Sequence, residues 1–148
     1  MKIREFKESD AEAVAKLSNE NADFFQFSGV TSEFLKRLCS HPKYKLFVLE
    51  DNKEIIGFCG INYQNLQMAE LGPICIRAEC RRQGLGRLLV DATFEFLRRM
   101  KGSRVIIKVK ASNIAAQEFF ISLGFRKSQE ILVLEEPAFL MEIGLERP

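Results

Sequence analysis

The residues with the densest chemistry are Arg81-Arg82-Gln83-Gly84-Leu85-Gly86-Arg87. They lie between an apolar, strand-like stretch and the longest amphipathic pattern in the chain, so the segment joins a strand to a helix. The first turn of a helix leaves four backbone N–H groups without intrahelical partners. Together with the positive end of the helix dipole they form an anion site. Glycines at 84 and 86 let a phosphate approach the backbone with no Cβ in the way. Arg81, Arg82 and Arg87 add charge-assisted donors. A diphosphate is the natural ligand. The segment is not a P-loop, because no Gly-Lys-Ser/Thr follows. It is a poor dinucleotide fingerprint too, with Leu89 at the third glycine position and Ser103-Arg104-Val105 where an acid is needed. On these residues alone, a plain glycine-rich turn before a basic helix remains the alternative.

The elements that position this loop alternate in type. Lys2 to Phe6 alternates polar and apolar residues as a strand does. Ser9 and Glu12 form a capping box for a helix through about Asn19. Ser32 to Cys39 reads as a second helix, closed before Pro42. Leu46–Leu49 and Ile55–Ile61 are strands, joined as a hairpin by Asp51-Asn52-Lys53. Met68 to Ile76 is a further apolar stretch, interrupted by Gly72-Pro73. Because proline donates nothing to a ladder, that pair marks a bulge or an edge position. The longest helix starts near Gly84, with Leu85, Leu88, Leu89, Ala92, Phe96 and Met100 as its apolar face. Val105, Ile107 and Val109 alternate as a strand. Asn113 to Leu123 is a helix with Ala116, Phe119, Phe120 and Leu123 on one face. Ile131–Leu134 and Phe139–Leu145 are the last strands. The order β-α-α-β-β-β-α-β-α-β-β implies a mixed sheet with helices on its faces, an α/β class.

At 148 residues the chain is one domain, residues 1–148, by the usual size prior. A net charge of +2 with interspersed signs gives no electrostatic case for nucleic acid or an anionic membrane as partner. No apolar run approaches the roughly 18 residues of a membrane span, and the start, MKIREFKESD, has no signal-peptide core. Cys39, Cys59, Cys75 and Cys80 form no metal-ligand spacing with His41, so no metal site is expected. They are expected to be buried thiols in a reducing cytoplasm. His41, before Pro42, is expected in a loop.

Arg81-x-x-Gly84-x-Gly86 matches the R/Q-x-x-G-x-G/A signature of the GNAT acetyltransferases. About 27 residues after Gly84, Ala111-Ser112-Asn113-Ile114-Ala115-Ala116, then Phe119-Phe120 and Leu123-Gly124-Phe125, resembles the second signature of that family. The resemblance covers roughly residues 54 to 134. It implies a GNAT fold: a twisted, mostly antiparallel mixed sheet of about seven strands with about four helices, split between strands 4 and 5. It implies acetyl-CoA as cofactor. The pyrophosphate would lie on the backbone N–H groups of Arg82, Gly84, Gly86 and Arg87, with Arg81, Gln83 and Leu85 completing the loop. The pantetheine arm would pair with the backbone of Ile74, Cys75 and Ile76, and Asn113 would bond it from the next helix. Gly72-Pro73 would be the family's bulge, which makes room for the thioester.

The implied activity is transfer of an acetyl group to a primary amine by direct attack, with a small molecule or a protein amine as acceptor. A neutral amine must attack, the oxyanion needs donors such as the N–H near Cys75 or Ile76, and a thiolate must leave. Glu70, 14 residues before Gly84, stands at the offset of the catalytic glutamate in the histone-modifying branch. Burial beside apolar groups would raise its pKa to a useful value. A charge on the open sheet face, or a salt bridge, is the alternative. Phe120 replaces the tyrosine many members use as general acid, and is expected in the core, packed near the pantetheine. Lys108 replaces the glutamate base of the branch that acetylates ribosomal-protein N-termini. These two departures favour the competing reading, a CoA-binding sensor without turnover. Phe24, Phe25 and Phe27 would form an acceptor wall or pack in the core. Homodimers are common in the family.

Overall fold

Residues 1–21 and 30–145 are described by the structure, a computed structural model. Phe24, Phe25 and Phe27 lie outside the described residues. The chain runs β1 (Lys2–Glu5), α1 (Ala11–Glu20), α2 (Ser32–Ser40), β2 (Tyr44–Asp51), β3 (Glu54–Asn62), β4 (Ala69–Ile76), α3 (Leu85–Arg99), β5 (Arg104–Lys110), α4 (Ile114–Ser122), β6 (Arg126–Val133) and β7 (Glu136–Gly144), with short 3-10 turns before α1 and after β4. One seven-stranded sheet has the order β1-β2-β3-β4-β5-β7-β6. Among the described residues, only β4 and β5 pair in parallel. The element order and the split between strands 4 and 5 are as expected.

Both tight hairpins turn through two successive residues at positive φ. Asn52 and Lys53 lie at φ 50° and 67° between β2 and β3, and Leu134 and Glu135 at 51° and 66° between β6 and β7. Two successive left-handed residues give the turn whose twist matches the strands.

The sheet separates two apolar layers. On one face Ile61, Leu71, Ile74 and Ile76 pack with Leu85, Leu89 and Leu97 of α3 and Phe120 of α4. On the other, Leu46, Val48, Phe58 and Cys75 pack with Val14 and Leu17 of α1 and Leu35 of α2.

Three local expectations are corrected. The box at the start of α1 is not Ser9–Glu12: Lys7 N donates to Asp10 Oδ2 at 2.7 Å, and Arg4 grips the same carboxylate at 2.8 and 3.0 Å. The buried side of α3 is Leu85, Leu89, Val90, Thr93, Phe94 and Leu97, whereas Leu88 and Met100 are exposed. The stripe is rotated because Phe94 packs toward Phe125. The final hairpin is longer than expected. The polar edge strand Arg126–Glu130 carries no alternation, yet it is held by backbone pairing to β7.

Asp10 also supplies a pH test. Burial alone would raise its pKa, but the bonds from Arg4 and Lys7 outweigh that and hold it below the usual carboxylate range. The stabilisation is therefore complete above the unfolded-state value near 4 and fades as pH falls through the lower folded value. An Asp10→Asn variant is expected to lose about 1–3 kcal/mol at neutral pH. Its stability, followed by urea melts, should fall less than the parent's below about pH 4.

Candidate active site

The parallel contact between β4 and β5 is limited to Ala69 opposite Val105 and Glu70 opposite Ile106. Beyond that point β5 pairs with β7 along its full length. The edge of β4 from Leu71 onward therefore opens on a widening cleft. Across β4 the register with β3 shifts: Cys59 pairs with Ile74 and Ile61 with Leu71, so Gly60 faces two residues, Gly72 and Pro73. This is the bulge expected from Gly72-Pro73.

Arg77 N donates to Ile56 O across the β3–β4 ladder. By antiparallel alternation Cys75 turns its amide and carbonyl to β3, and Ile74 and Ile76 turn theirs to the cleft. Cys75 is thus corrected: its side chain lies under α1, with Sγ 3.9 Å from Leu17 O, and its N–H cannot serve the cleft. The Ile74 and Ile76 amides face the cleft.

The loop that follows builds the cleft's phosphate end. The first bond of α3 runs from Leu88 N to Gly84 O, so Leu85, Gly86 and Arg87 donate no intrahelical bond. Gly84 is left-handed at φ 78°, and a Cβ there would meet nothing within 4 Å. That open space above a helix start suits an anion. Gly86 has a different reason from the one its motif suggested. A Cβ on it would lie 2.9 Å from the Phe119 ring, so glycine lets α3 and α4 approach. Gly86→Ala is expected to cost about 1–3 kcal/mol in a urea melt by overpacking, and Phe119→Leu should recover most of that loss in the double variant.

The side chains around this loop divide by role. Arg82, at φ 64°, and Gln83 are exposed. Arg81 turns inward, its Nε donating to Ile76 O at 3.0 Å and its Nη2 to Asn21 Oδ1 at 2.9 Å. It braces the end of β4 against α1 rather than reaching out as a phosphate clamp. Arg87 donates to Ser122 O. Leu85 is buried and offers only its backbone. With Ile76, Cys80, Ala115 and Phe119, the loop lines a cleft of about 670 Å³.

Asn113 and Phe120 of α4 both have partners within the protein. Asn113 is the N-cap of α4, with Oδ1 accepting from Ala116 N at 3.0 Å. Phe120 is fully buried, edge-on to Phe119 and Phe125, so it supports the cleft from behind. Phe119 is the aromatic residue that lines it. The sequence signal for Phe119 was its place beside Phe120, which is in the core as expected.

Glu70 stands where β4 and β5 part. Its carboxylate is not buried among apolar groups: it is 43% exposed, and Oε2 lies 3.4 Å from Lys108 Nζ, itself 42% exposed. The salt bridge is the alternative that the structure has. Lys108, the departure from the ribosomal branch, is thus the partner of the candidate base.

The thiols divide in two. Cys59 and Cys75 are buried, which pushes their pKa values up to about 12 and 11 and leaves them unreactive. Cys39 and Cys80 are half-buried, contrary to the expectation for all four. His41 follows α2 in a loop, as expected. Among the described residues no cluster could hold a metal and no helix is long and apolar enough to cross a membrane.

The cleft, the open helix start and the unpaired β4 edge fit a long carrier with a diphosphate, and comparisons with known proteins agree. A Bacillus subtilis protein provisionally designated a ribosomal protein bS18 alanine N-acetyltransferase is 25% identical over 84% of this chain and 80% of its own length. The ribosomal protein bS18 alanine N-acetyltransferase of Escherichia coli K12 is 33% identical over 58% of this chain and 57% of its own. The solved structure of the Escherichia coli ribosomal-protein-S18-alanine N-acetyltransferase shares the fold, with a TM-score of 0.83 at 22% identity over 99% of this chain and 95% of that one. Residues 11–125 match the model of the acetyltransferase (GNAT) family, and the chain belongs to that family: it is an N-acetyltransferase whose co-substrate is acetyl-CoA.

Proposed function

We propose that this enzyme acetylates the α-amino group of a peptide or protein N-terminus in the cytoplasm, with Glu70 receiving the proton. The observation that carries this reading is the Glu70–Lys108 pair at the point where β4 and β5 diverge. A half-exposed carboxylate held by a lysine is poorly placed to strip a proton from a strongly basic ammonium. The neighbouring cation also repels an acceptor that arrives protonated. An α-amine, with a pKa near 7.7–8.0, is already partly neutral at physiological pH. A lysine side chain, near 10.4, needs roughly 2.5 further pKa units, or about 3.4 kcal/mol. The names of the bS18 relatives, which give a protein alanine as acceptor, support the choice. Four unpaired cysteines suit a reducing compartment.

The chain's own groups then have defined work. Backbone amides at the start of α3 hold the diphosphate, Gly84 leaves it room, and the cleft edge of β4 aligns the arm. The Ile74 and Ile76 amides are the donors available to charge developing on the thioester oxygen. When bound, acetyl-CoA supplies the acyl group and a thiolate leaving group. A thiol with a pKa near 8.5 leaves without a general acid, which accommodates a buried phenylalanine at position 120. No homodimer contact enters this scheme.

A panel of amines at pH 7.5 tests the acceptor. A peptide with a free N-terminus is expected to exceed the same peptide blocked at its N-terminus but carrying a lysine by about 100-fold in kcat/KM. Lys108→Gln is expected to narrow that gap by favouring basic acceptors. Equal rates on the two peptides would overturn the assignment.

A further inference from the structure

Tyr44 opens β2, two strands away from β4, yet its side chain reaches the bulge. Its hydroxyl donates to Gly72 O at 3.1 Å. The path runs beneath Gly60: a Cβ on that residue would overlap the Tyr44 hydroxyl and lie 2.9 Å from Gly72 O. Gly60 is also the residue at which the β3–β4 register shifts. Three features therefore meet at one point: the extra residue in β4, the missing side chain in β3 and the phenol from β2.

The surroundings fix the phenol's character. Tyr44 is 6% exposed, within the apolar layer formed by Val14, Leu35, Phe58 and Cys75. Burial raises its pKa well above the ordinary tyrosine value, with Cys39 and Cys59 adding to the rise. The O–H thus stays a donor throughout the enzyme's pH range and is unsuited to release its proton to a thiolate. The bulge takes Gly72 out of the regular β3–β4 ladder, and the phenol gives its part-buried carbonyl a fixed side-chain partner. The amides of Ile74 and Ile76, immediately beyond the bulge, take their direction from it.

We propose that Tyr44 is a positioning residue for acyl transfer, its hydroxyl holding the Gly72 carbonyl and so fixing the bulge that aims the Ile74 and Ile76 amides into the cleft. The inference rests on the reading that this edge of β4 receives the thioester. Gly60 is the second half of the device, because any larger residue there would displace the hydroxyl.

Tyr63 provides an internal control. It too is buried, and its hydroxyl donates to a backbone carbonyl, Pro42 O, at 3.1 Å, but away from the bulge. Tyr44→Phe is expected to lower kcat about tenfold, because small misplacements at a reacting centre are costly. The KM for acetyl-CoA and the calorimetric CoA affinity should stay within about twofold, since the loop at 81–87 is untouched. Amide hydrogen exchange over residues 71–76 should accelerate in the protein without ligand. Tyr63→Phe should show a similar drop in Tm with kcat and exchange at 71–76 unchanged. Equal kcat and equal exchange in the two variants would overturn the proposal. If Tyr44→Phe does not fold, Gly60→Ala, which keeps the hydroxyl but displaces it, is expected to show the same fall in kcat and the same faster exchange; parental values in both would overturn the proposal. A parent without turnover on any amine would count against acyl transfer at this edge. The exchange comparison would still decide whether Tyr44 holds the bulge.

Discussion

Gly84→Asp should weaken CoA binding by at least about 100-fold while leaving the fold intact. The residue is left-handed, a region that costs most L side chains about 1–2 kcal/mol but that aspartate and asparagine tolerate better. Space is not the obstacle, because a Cβ there meets nothing within 4 Å. The charge is: two like charges about 4 Å apart repel by about 4 kcal/mol at an effective dielectric near 20, and solvent at this exposed loop reduces that figure. Gly84→Asn separates the causes. Asparagine has nearly the same volume and tolerates the left-handed region, so it should bind CoA at least about tenfold more tightly than the aspartate variant. Isothermal titration with CoA, alongside thermal melts of the free proteins, reads both effects. Equal affinities for the two variants would mean that no phosphate sits over Gly84.

Glu70→Gln is expected to lower kcat about 100-fold with CoA affinity unchanged, the scale of a lost general base. The substitution keeps the side chain's shape and removes both its basicity and its attraction for Lys108, 3.4 Å away. The remaining rate should climb with pH as the acceptor amine deprotonates in solution, so parent and variant should converge at alkaline pH. A rate equal to the parent's across pH 6–9 would remove Glu70 from the mechanism. Lys108→Gln provides the complementary case: it frees the carboxylate without deleting it, so it should retain most of the turnover that Glu70→Gln loses.

Much of this site was legible in the sequence because it depends on backbone. A left-handed helix start asks for glycine, and Gly84 supplies it. A break in a central ladder leaves Gly72-Pro73. The order of elements survived because strands and helices differ in period. What the sequence hid was mostly a matter of partners that are distant along the chain. Gly86 resembles a phosphate glycine, but its constraint comes from Phe119 on another helix. Arg81 resembles an anion clamp until Ile76 O and Asn21 are seen to hold it. Of two adjacent phenylalanines, helix rotation decides which lines the cleft, and α4 turns Phe119 rather than Phe120 toward it. The role of Tyr44 depends on contacts across two strands. Glu70 was a candidate by position, but its exposure follows from how sharply β5 departs from β4, which no local pattern encodes.

Site residues on β4 and the loop after it are thus joined by one physical requirement: backbone amides must be held open to a carrier. Amide chemical shifts recorded during a titration with CoA test this most directly. Large, saturable shifts are expected at Ile74, Ile76, Gly84, Leu85, Gly86 and Arg87, with Cys75, turned toward β3, moving little. A titration that saturates while those loop amides stay still, or one in which Cys75 shifts as much as its neighbours, would contradict that requirement.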